Sequence, residues 1–470
     1  MAGARSRSQA RASLPRAERG GREGPRSRPD LPEGRHLFGT DGVRGPAGEV
    51  VTAELALALG RAATERIDAE RPQVLVIRDT RESGEMLEAG IAAGVTAGGG
   101  DVLLGGVLPT PAAPMLIERY GLDLGVVLSA SHNPYVDNGI KFFGADGDKL
   151  SDAVEAEIEA DLEREPAGTE RFGRVRALHG ALDDYLRALQ ERFGDLDLST
   201  LDVLLDCANG ATHRAAPAIF ERLGARVSAT AVEPDGRNIN AGCGSTHVER
   251  LAEAVVAGGH DLGFAFDGDG DRVLAADRTG AVVDGDELMA LAAKHLRATG
   301  RLPGGGVAVT VMTNYGFHAA MAEAGVEVST TQVGDRYVLE ELRARGWALG
   351  GEQSGHIIEL GFAPTGDGIA GALLALEALG GEDLAERHGM EKLPQRLVNV
   401  CVRDRGALAG AAAVDDAVER ESAGLEGRGR VLVRPSGTEP LVRVMVEAPT
   451  EAEAGEVCDR LVAVVESEIG

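Results

Sequence analysis

Basic charge is what this chain is short of. Its formal net charge is -27, and only four of its 470 residues are lysines: Lys141, Lys149, Lys294 and Lys392. Nucleic acids and anionic membranes attract basic patches, so this balance argues against a general surface for either, while leaving room for a local positive cleft that takes a phosphorylated metabolite. Cysteine is equally sparse. Cys207, Cys243, Cys401 and Cys458 stand far apart, with no C-x-x-C pair and no zinc-like spacing, which argues against a disulfide framework and reads as reduced thiols. No apolar run approaches the ~18 residues of a membrane span, and the N-terminus lacks the apolar stretch of a secretory signal. The expectation is a cytoplasmic protein with small-molecule partners, no nucleic acid and no membrane; a homodimer stays open.

What is there is ordinary globular material. At 470 residues and 43% hydrophobic content the chain has room for about three domains of ~150 residues each. Residues 1–34 differ from the rest: arginines from Arg5 to Arg28 lie among Gly, Ser, Ala and Pro, a composition too poor in apolar surface to offset the entropy of ordering. It reads as a disordered basic tail or a mis-assigned start, with a transit-like peptide or a docking arm as the functional alternatives.

From residue 73 apolar strands alternate with helix-period stretches in three rounds. The first runs QVLVI, MLEAGIAAGV, DVLLGGV, APMLIERY and LGVVLSA; the second LDVLLD, RAAPAIFERLG, ARVSATAV and LGFAFD; the third GVAVTVM, GFHAAMAEAG, VEVSTT and WALGGE. Such alternation predicts mostly parallel sheets covered by helices. The expected fold is α/β: three similar domains at 35–175, 176–277 and 278–388, then a smaller α+β domain at 389–470, around a central cleft. Each round delivers a polar motif just after an apolar strand, where open α/β sheets bind ligands.

DGDGDR at 267–272 sets Asp267, Asp269 and Asp271 two apart, with Gly268 and Gly270 freeing the backbone to gather the carboxylates around one hard cation such as Mg2+. An EF-hand also opens D-x-D-x-D, but it needs Gly and Glu where this chain has Arg272 and Arg278. SASHNP at 129–134 offers the Ser131 hydroxyl beside the His132 imidazole, without the G-x-S-x-G elbow of serine hydrolases. Downstream, Lys141 is the cation expected to reach the same cleft. GGEQSGH at 350–356 brings Glu352, Ser354 and His356, suited to sugar hydroxyls. FGTDGVRG at 38–45 carries the fixed cation Arg44. RPSGTEP at 434–440, in a turn between two strands, combines Arg434 with Ser436, Gly437 and Thr438, the guanidinium, hydroxyls and amides that suit a phosphate dianion.

Together, in this order, the motifs FGTDGVRG, SASHNPYVDNGIKFF, FDGDGDR, VGDRYV, GGEQSGH and RPSGTEP resemble the α-D-phosphohexomutase superfamily, from about Arg35 to the C-terminus. Gln353 favours the branch acting on glucosamine phosphates. The resemblance implies that Ser131 carries phosphate as a phosphoserine and joins Asp267, Asp269 and Asp271 in holding one Mg2+ per subunit. It also implies that Lys141 is a general acid or base, with His132 beside it, and that Arg44 steadies the moving phosphoryl group. Glu352 and Ser354 would recognise the sugar, and Arg434, Ser436, Gly437 and Thr438 would grip the non-reacting phosphate. The implied reaction interconverts glucosamine 6-phosphate and glucosamine 1-phosphate through a sugar 1,6-bisphosphate, which also serves as activator, and feeds cell-envelope precursors. The chain departs from the pattern at Ala363-Pro364, where a more polar lead-in is expected, and in its arginine-rich extension.

A glucose- or mannose-phosphate mutase of the same superfamily is the nearest alternative. A non-catalytic sugar-phosphate sensor is further off, since it has no need of Ser131, three aspartates and Lys141 together, and a scaffold leaves all the motifs unexplained.

Overall fold

The computed structural model describes residues 37–39, 41–162, 164, 171–435 and 441–470. The expectation for residues 1–34 lies outside them, as do Ser436, Gly437 and Thr438.

Three mixed sheets, each with a parallel portion, follow one another along the chain. The first runs, in spatial order, Val43–Pro46, Asp137–Gly144, Leu124–Leu128, Gln73–Arg78, Asp101–Val107 and Val175–Ala177. The second runs Val282–Val283, Val273–Asp277, Leu262–Phe266, Asp202–Asp206 and Arg226–Thr230, and the third Glu327–Thr331, Gly306–Thr310, Leu349–Gly351 and Ile357–Glu359. The predicted apolar strands form the parallel portion of each sheet. Sequence reading passed over the strand that turns back antiparallel after each motif: Asp137–Gly144 on Leu124–Leu128, Val273–Asp277 on Leu262–Phe266, and Ile357–Glu359 on Leu349–Gly351. The three motif loops are therefore equivalent, each joining a central strand to a returning neighbour.

Period-2 geometry explains how the sheets share one centre, because alternate residues of a strand face opposite sides. Leu75, Ile77 and Val127 of the first sheet, Val203, Leu205 and Phe264 of the second, and Val307, Val309 and Leu349 of the third all enter a single apolar core. Their sequence neighbours Val74, Val76 and Val126, then Leu204 and Ala265, then Ala308, enter separate cores on the outer faces. A common inner core fixes the sheets against one another and brings the ends of their central strands together.

The fourth unit has its own core. Its antiparallel sheet, ordered Gln395–Cys401, Leu441–Glu447 and Arg430–Pro435, carries the helices Ala412–Gly424 and Glu451–Ile469. It is tied to the third unit through a short segment: Glu447 Oε2 accepts the Tyr315 N–H at 2.7 Å, and Arg430 donates to the Val311 carbonyl at 2.9 Å. The fold is the expected one, three α/β units and a smaller α+β unit. Among the described residues no helix is long and apolar enough to cross a membrane.

Candidate active site

Two of the motif loops meet at Ser131. It follows the strand Leu124–Leu128 and adopts φ +49°, left-handed backbone that an L residue seldom takes, and its hydroxyl donates to Asp267 Oδ2. The metal-candidate loop comes so close that a Cβ on Gly268 would sit 2.5 Å from the Ser131 carbonyl oxygen, so no larger residue fits there. Gly270 turns the loop at φ +74° against Thr212.

Within that loop Asp267, Asp269 and Asp271 are all buried, and one ligand atom from each lies within 4.8 Å of the others. Their remaining contacts leave oxygens free. Asp269 Oδ2 accepts from Thr110 at 2.8 Å and from Lys141 at 2.9 Å, while Asp269 Oδ1 and Asp271 Oδ1 are buried with no hydrogen-bond partner. Buried polar atoms are normally paired, so two buried carboxylate oxygens without a hydrogen-bond donor fit a cation. Burial, and then the charges of Asp271 and Asp269, push the Asp267 carboxyl well above its ordinary range. Burial pushes Asp271 the same way, but His356, Lys141 and Arg272 outweigh it and hold that carboxyl low. A divalent ion would relieve the crowding of negative charge, and the donor set, all carboxylate oxygen, suits Mg2+.

Cations close the other side. Lys141 lies on the returning strand Asp137–Gly144, 1% exposed, with Nζ 2.9 Å from Asp269 Oδ2 and 3.2 Å from Asp41 Oδ2. Burial opposes its charge, but Asp269 and Asp41 together raise its pKa, so it is an ammonium. Arg44, on Val43–Pro46, pairs with Asp41, and Arg272 closes the metal loop. The Nε atoms of both Arg44 and Arg272 are buried without a hydrogen-bond acceptor, that of Arg272 lying 3.8 Å from Asp271 Oδ1. Arg44, Arg272, Asp269 and Asp271 all act on His132, the neighbour of Ser131, so donors and acceptors without hydrogen-bond partners share its surroundings, as a site for a phosphoryl group and a cation requires.

His132 Nδ1 lies 3.5 Å from Ser131 Oγ and accepts from Arg272 Nη1 at 3.3 Å; burial, then Arg272 and Arg44, lower its pKa, so the ring is neutral. In this geometry the hydroxyl is held by Asp267. Glu352 accepts the Gly334 N–H at 3.1 Å, and Ser354 is exposed at the tip of its loop. His356, expected among the sugar-binding groups, is instead enclosed at 2% exposure: Nε2 accepts the Gly366 N–H at 2.9 Å and Nδ1 lies 3.7 Å from Asp271 Oδ2. It braces the metal loop, because the segment after Ala363-Pro364 folds over it. Gln353 donates to Asp284, the N-cap of helix Gly285–Ala298, at 3.3 Å.

Arg434 stands apart from the Ser131 cluster. Its guanidinium is 3.6 Å from Met312 Sδ in the third unit and has no carboxylate partner among the described residues. It is paired in register with Arg443, and burial, then that neighbouring charge, lower its pKa.

Sequence reading gave no site role to Asp41, Lys149, Asp335 or Arg272, although Asp41, Asp335 and Arg272 stand inside quoted motifs. It also missed Thr110, and Asp79 with Arg81. The last pair follows the first apolar strand directly, the same signal that found the other loops.

Comparison with known proteins accounts for this arrangement over nearly the whole chain. Models of phosphoglucomutase/phosphomannomutase alpha/beta/alpha domains I, II and III match residues 35–168, 183–280 and 284–396, and that family's C-terminal domain matches 397–464. The chain is 51% identical over 439 residues to a phosphoglucosamine mutase of Pelotomaculum thermopropionicum, covering 91% of this chain and 98% of the relative. It is 50% identical over 444 residues to one of Mycolicibacterium smegmatis, covering 90% and 98%. Among solved structures, a phosphoglucomutase/phosphomannomutase family protein from Burkholderia thailandensis superposes with TM-score 0.77 at 24% identity, over 91% of this chain and 97% of that one. An Aspergillus fumigatus N-acetylphosphoglucosamine mutase, solved with GlcNAc-6P and magnesium, superposes at 0.62 and 19% identity, over 92% and 95%. With four domain models matched in order and relatives about half identical from end to end, the chain belongs to the phosphoglucomutase/phosphomannomutase family.

Proposed function

We propose that this enzyme interconverts glucosamine 6-phosphate and glucosamine 1-phosphate, with Ser131 as the phosphate carrier. The observation that carries the reading is the Ser131 hydroxyl bonded to Asp267, whose loop neighbours Asp269 and Asp271 each keep a buried carboxylate oxygen without a hydrogen-bond partner. The glucosamine substrate is supported by relatives named phosphoglucosamine mutase at about half identity.

Phosphorylated Ser131 gives its phosphoryl group to the 6-phosphate's free C1 hydroxyl: the Oγ–P bond breaks, an O1–P bond forms, and the hydroxyl proton leaves as Ser131 Oγ takes one up. The 1,6-bisphosphate reorients and returns its 6-phosphoryl group to Ser131, leaving the 1-phosphate. Lys141, an ammonium, is the acid that protonates the sugar oxygen as its phosphoryl group leaves in the return transfer, neutral His132 is the group able to take the attacking hydroxyl's proton in the first, and Arg44 offsets charge on the transferring oxygens. Glu352 and Ser354 bind sugar hydroxyls, and Arg434 with Ser436, Gly437 and Thr438 holds the phosphate that is not reacting. Asp267, Asp269, Asp271 and an oxygen of phospho-Ser131 would hold one Mg2+ per subunit, which when bound supplies Lewis-acid stabilisation of the phosphoryl oxygens. A sugar 1,6-bisphosphate would restore phosphate lost from Ser131 and so act as activator. We further propose that the enzyme works in the cytoplasm, feeds UDP-N-acetylglucosamine and cell-envelope synthesis, and can form a homodimer.

Phosphorus NMR of the protein with Mg2+, a trace of 1,6-bisphosphate, and glucosamine, glucose or mannose 6-phosphate in separate tubes tests this. Fastest conversion of the amino sugar is expected. Preference for glucose or mannose would overturn the substrate and keep the carrier, and no conversion with any of them would overturn both.

A further inference from the structure

We infer that Arg81 is a positioning residue that fixes the Ser131 loop in its reactive conformation. This rests on the reading of Ser131 as the phosphate carrier. Arg81 follows the strand Gln73–Arg78 and lies beneath the loop, its side chain wholly buried. A guanidinium has five N–H donors in a rigid fork, and all five are used here. Nε donates to Asp79 Oδ2 at 2.8 Å. One terminal nitrogen donates to the carbonyls of Asp137 at 2.9 Å and of Pro134, the other to those of Ser131 and Asn133, each at 2.9 Å.

Four carbonyls of one short loop thus converge on a single cation. Asp79 completes the cradle: its Oδ1 accepts the Arg81 N–H at 2.9 Å, and its Oδ2 accepts the Ser129 hydroxyl at 2.6 Å. Ser129 Oγ in turn accepts the Ser131 N–H at 3.0 Å. From the second unit, Asn240 Nδ2 adds a further bond to the Ser131 carbonyl at 2.8 Å.

Ser131 is therefore held at its N–H by Ser129 and at its carbonyl by Arg81 and Asn240, while its backbone sits at φ +49°. A residue in so sparsely populated a conformation persists only where its surroundings over-determine it. The negative ends of the loop's carbonyl dipoles are committed to the guanidinium, which leaves the Oγ on the Asp267 side. A phosphoryl group on Oγ then points away from the loop's carbonyl oxygens. Lysine, with three donors on one atom, could not reproduce the fork.

The test uses the full chain carrying Arg81→Lys or Ser129→Ala, with the wild type in the same assay. Measured together are kcat, KM for the sugar phosphate the wild type converts, the thermal midpoint, and the phosphate retained on Ser131 by intact mass. Loss of alignment lowers kcat by roughly tenfold to a hundredfold and leaves KM within about threefold, with Ser129→Ala melting close to the wild type. A purely structural role would not split the constants in this way. Unchanged kcat in either folded variant overturns the proposal, and if Arg81→Lys fails to fold, Ser129→Ala decides alone. An inactive wild type would defeat the carrier reading and this proposal with it; an active wild type with an undisturbed Ser129→Ala defeats this proposal only.

Discussion

Lys149 Nζ lies 2.5 Å from Asp335 Oδ2 and also bonds Asp41, so one ammonium joins the first α/β unit to the N-terminal turn of helix Asp335–Arg345 in the third. Burial disfavours its charge, yet Asp335 and Asp41 raise its pKa and keep it ionised. Removing it takes the ammonium from Asp335, while Asp41 keeps Lys141 and Arg44. The side chains are 13% and 19% exposed, so the cost lies below that of a fully buried pair. Lys149→Met is expected to lose about 2 kcal/mol in urea unfolding, and Lys149→Arg to recover part of it. An unchanged midpoint would show the bridge to be idle.

Ser131→Ala removes the only oxygen proposed to carry phosphate. Turnover should disappear, and the phosphoserine signal should be lost from the mass spectrum of the tryptic peptide spanning residue 131. Retention of both would remove Ser131 from the reaction.

Asp269→Asn keeps the shape of the side chain but weakens the cation site and the partner of Lys141. Activity should fall by roughly a hundredfold or more, with a far weaker dependence on Mg2+ and a native circular dichroism spectrum. A wild-type Mg2+ titration curve in the variant would refute the metal assignment.

Among the described residues Arg434 has no acidic partner, and it is paired in register with Arg443 across the strand pair, an arrangement that favours an anion. Arg434→Ala should raise KM by about tenfold with a smaller change in kcat, since the proposed grip would hold ground state and transition state alike. An unaltered KM would exclude it from the phosphate clamp.

Asp286 gives a pH dependence away from the site. It is buried, accepts the Asn314 N–H at 2.8 Å, and burial, with Asp284 beside it, pushes its pKa up to about 7. A carboxyl with a raised folded pKa favours the folded state most at low pH, below its ordinary range, and that contribution is lost as pH rises through about 7. Asp286→Asn should therefore remove a decline of a few kcal/mol in unfolding free energy between about pH 4.5 and pH 7.5. Parallel pH profiles for the two proteins would contradict this.

The sequence by itself determined what is local. Apolar strands of period 2 between helix-period stretches specified the three α/β units, and a polar motif after the last strand of each marked where a ligand would bind. The D-x-D-x-D spacing was enough to gather three carboxylates, because residues two apart on a glycine-bearing turn cannot avoid one another. Tertiary structure decided everything that joins distant segments. Lys141 meets Asp269 across 128 residues, and Tyr185 donates to Asp367 across 182; no local pattern encodes such pairs. His356 reads as a sugar ligand from its motif and proves to brace Asp271, because the chain folds over it. Arg81 looks like a polar residue at a strand end until the loop carbonyls around it are seen. A side chain's type fixes the bonds it can make, but only the packing of the sheets on their shared core decides which partner arrives.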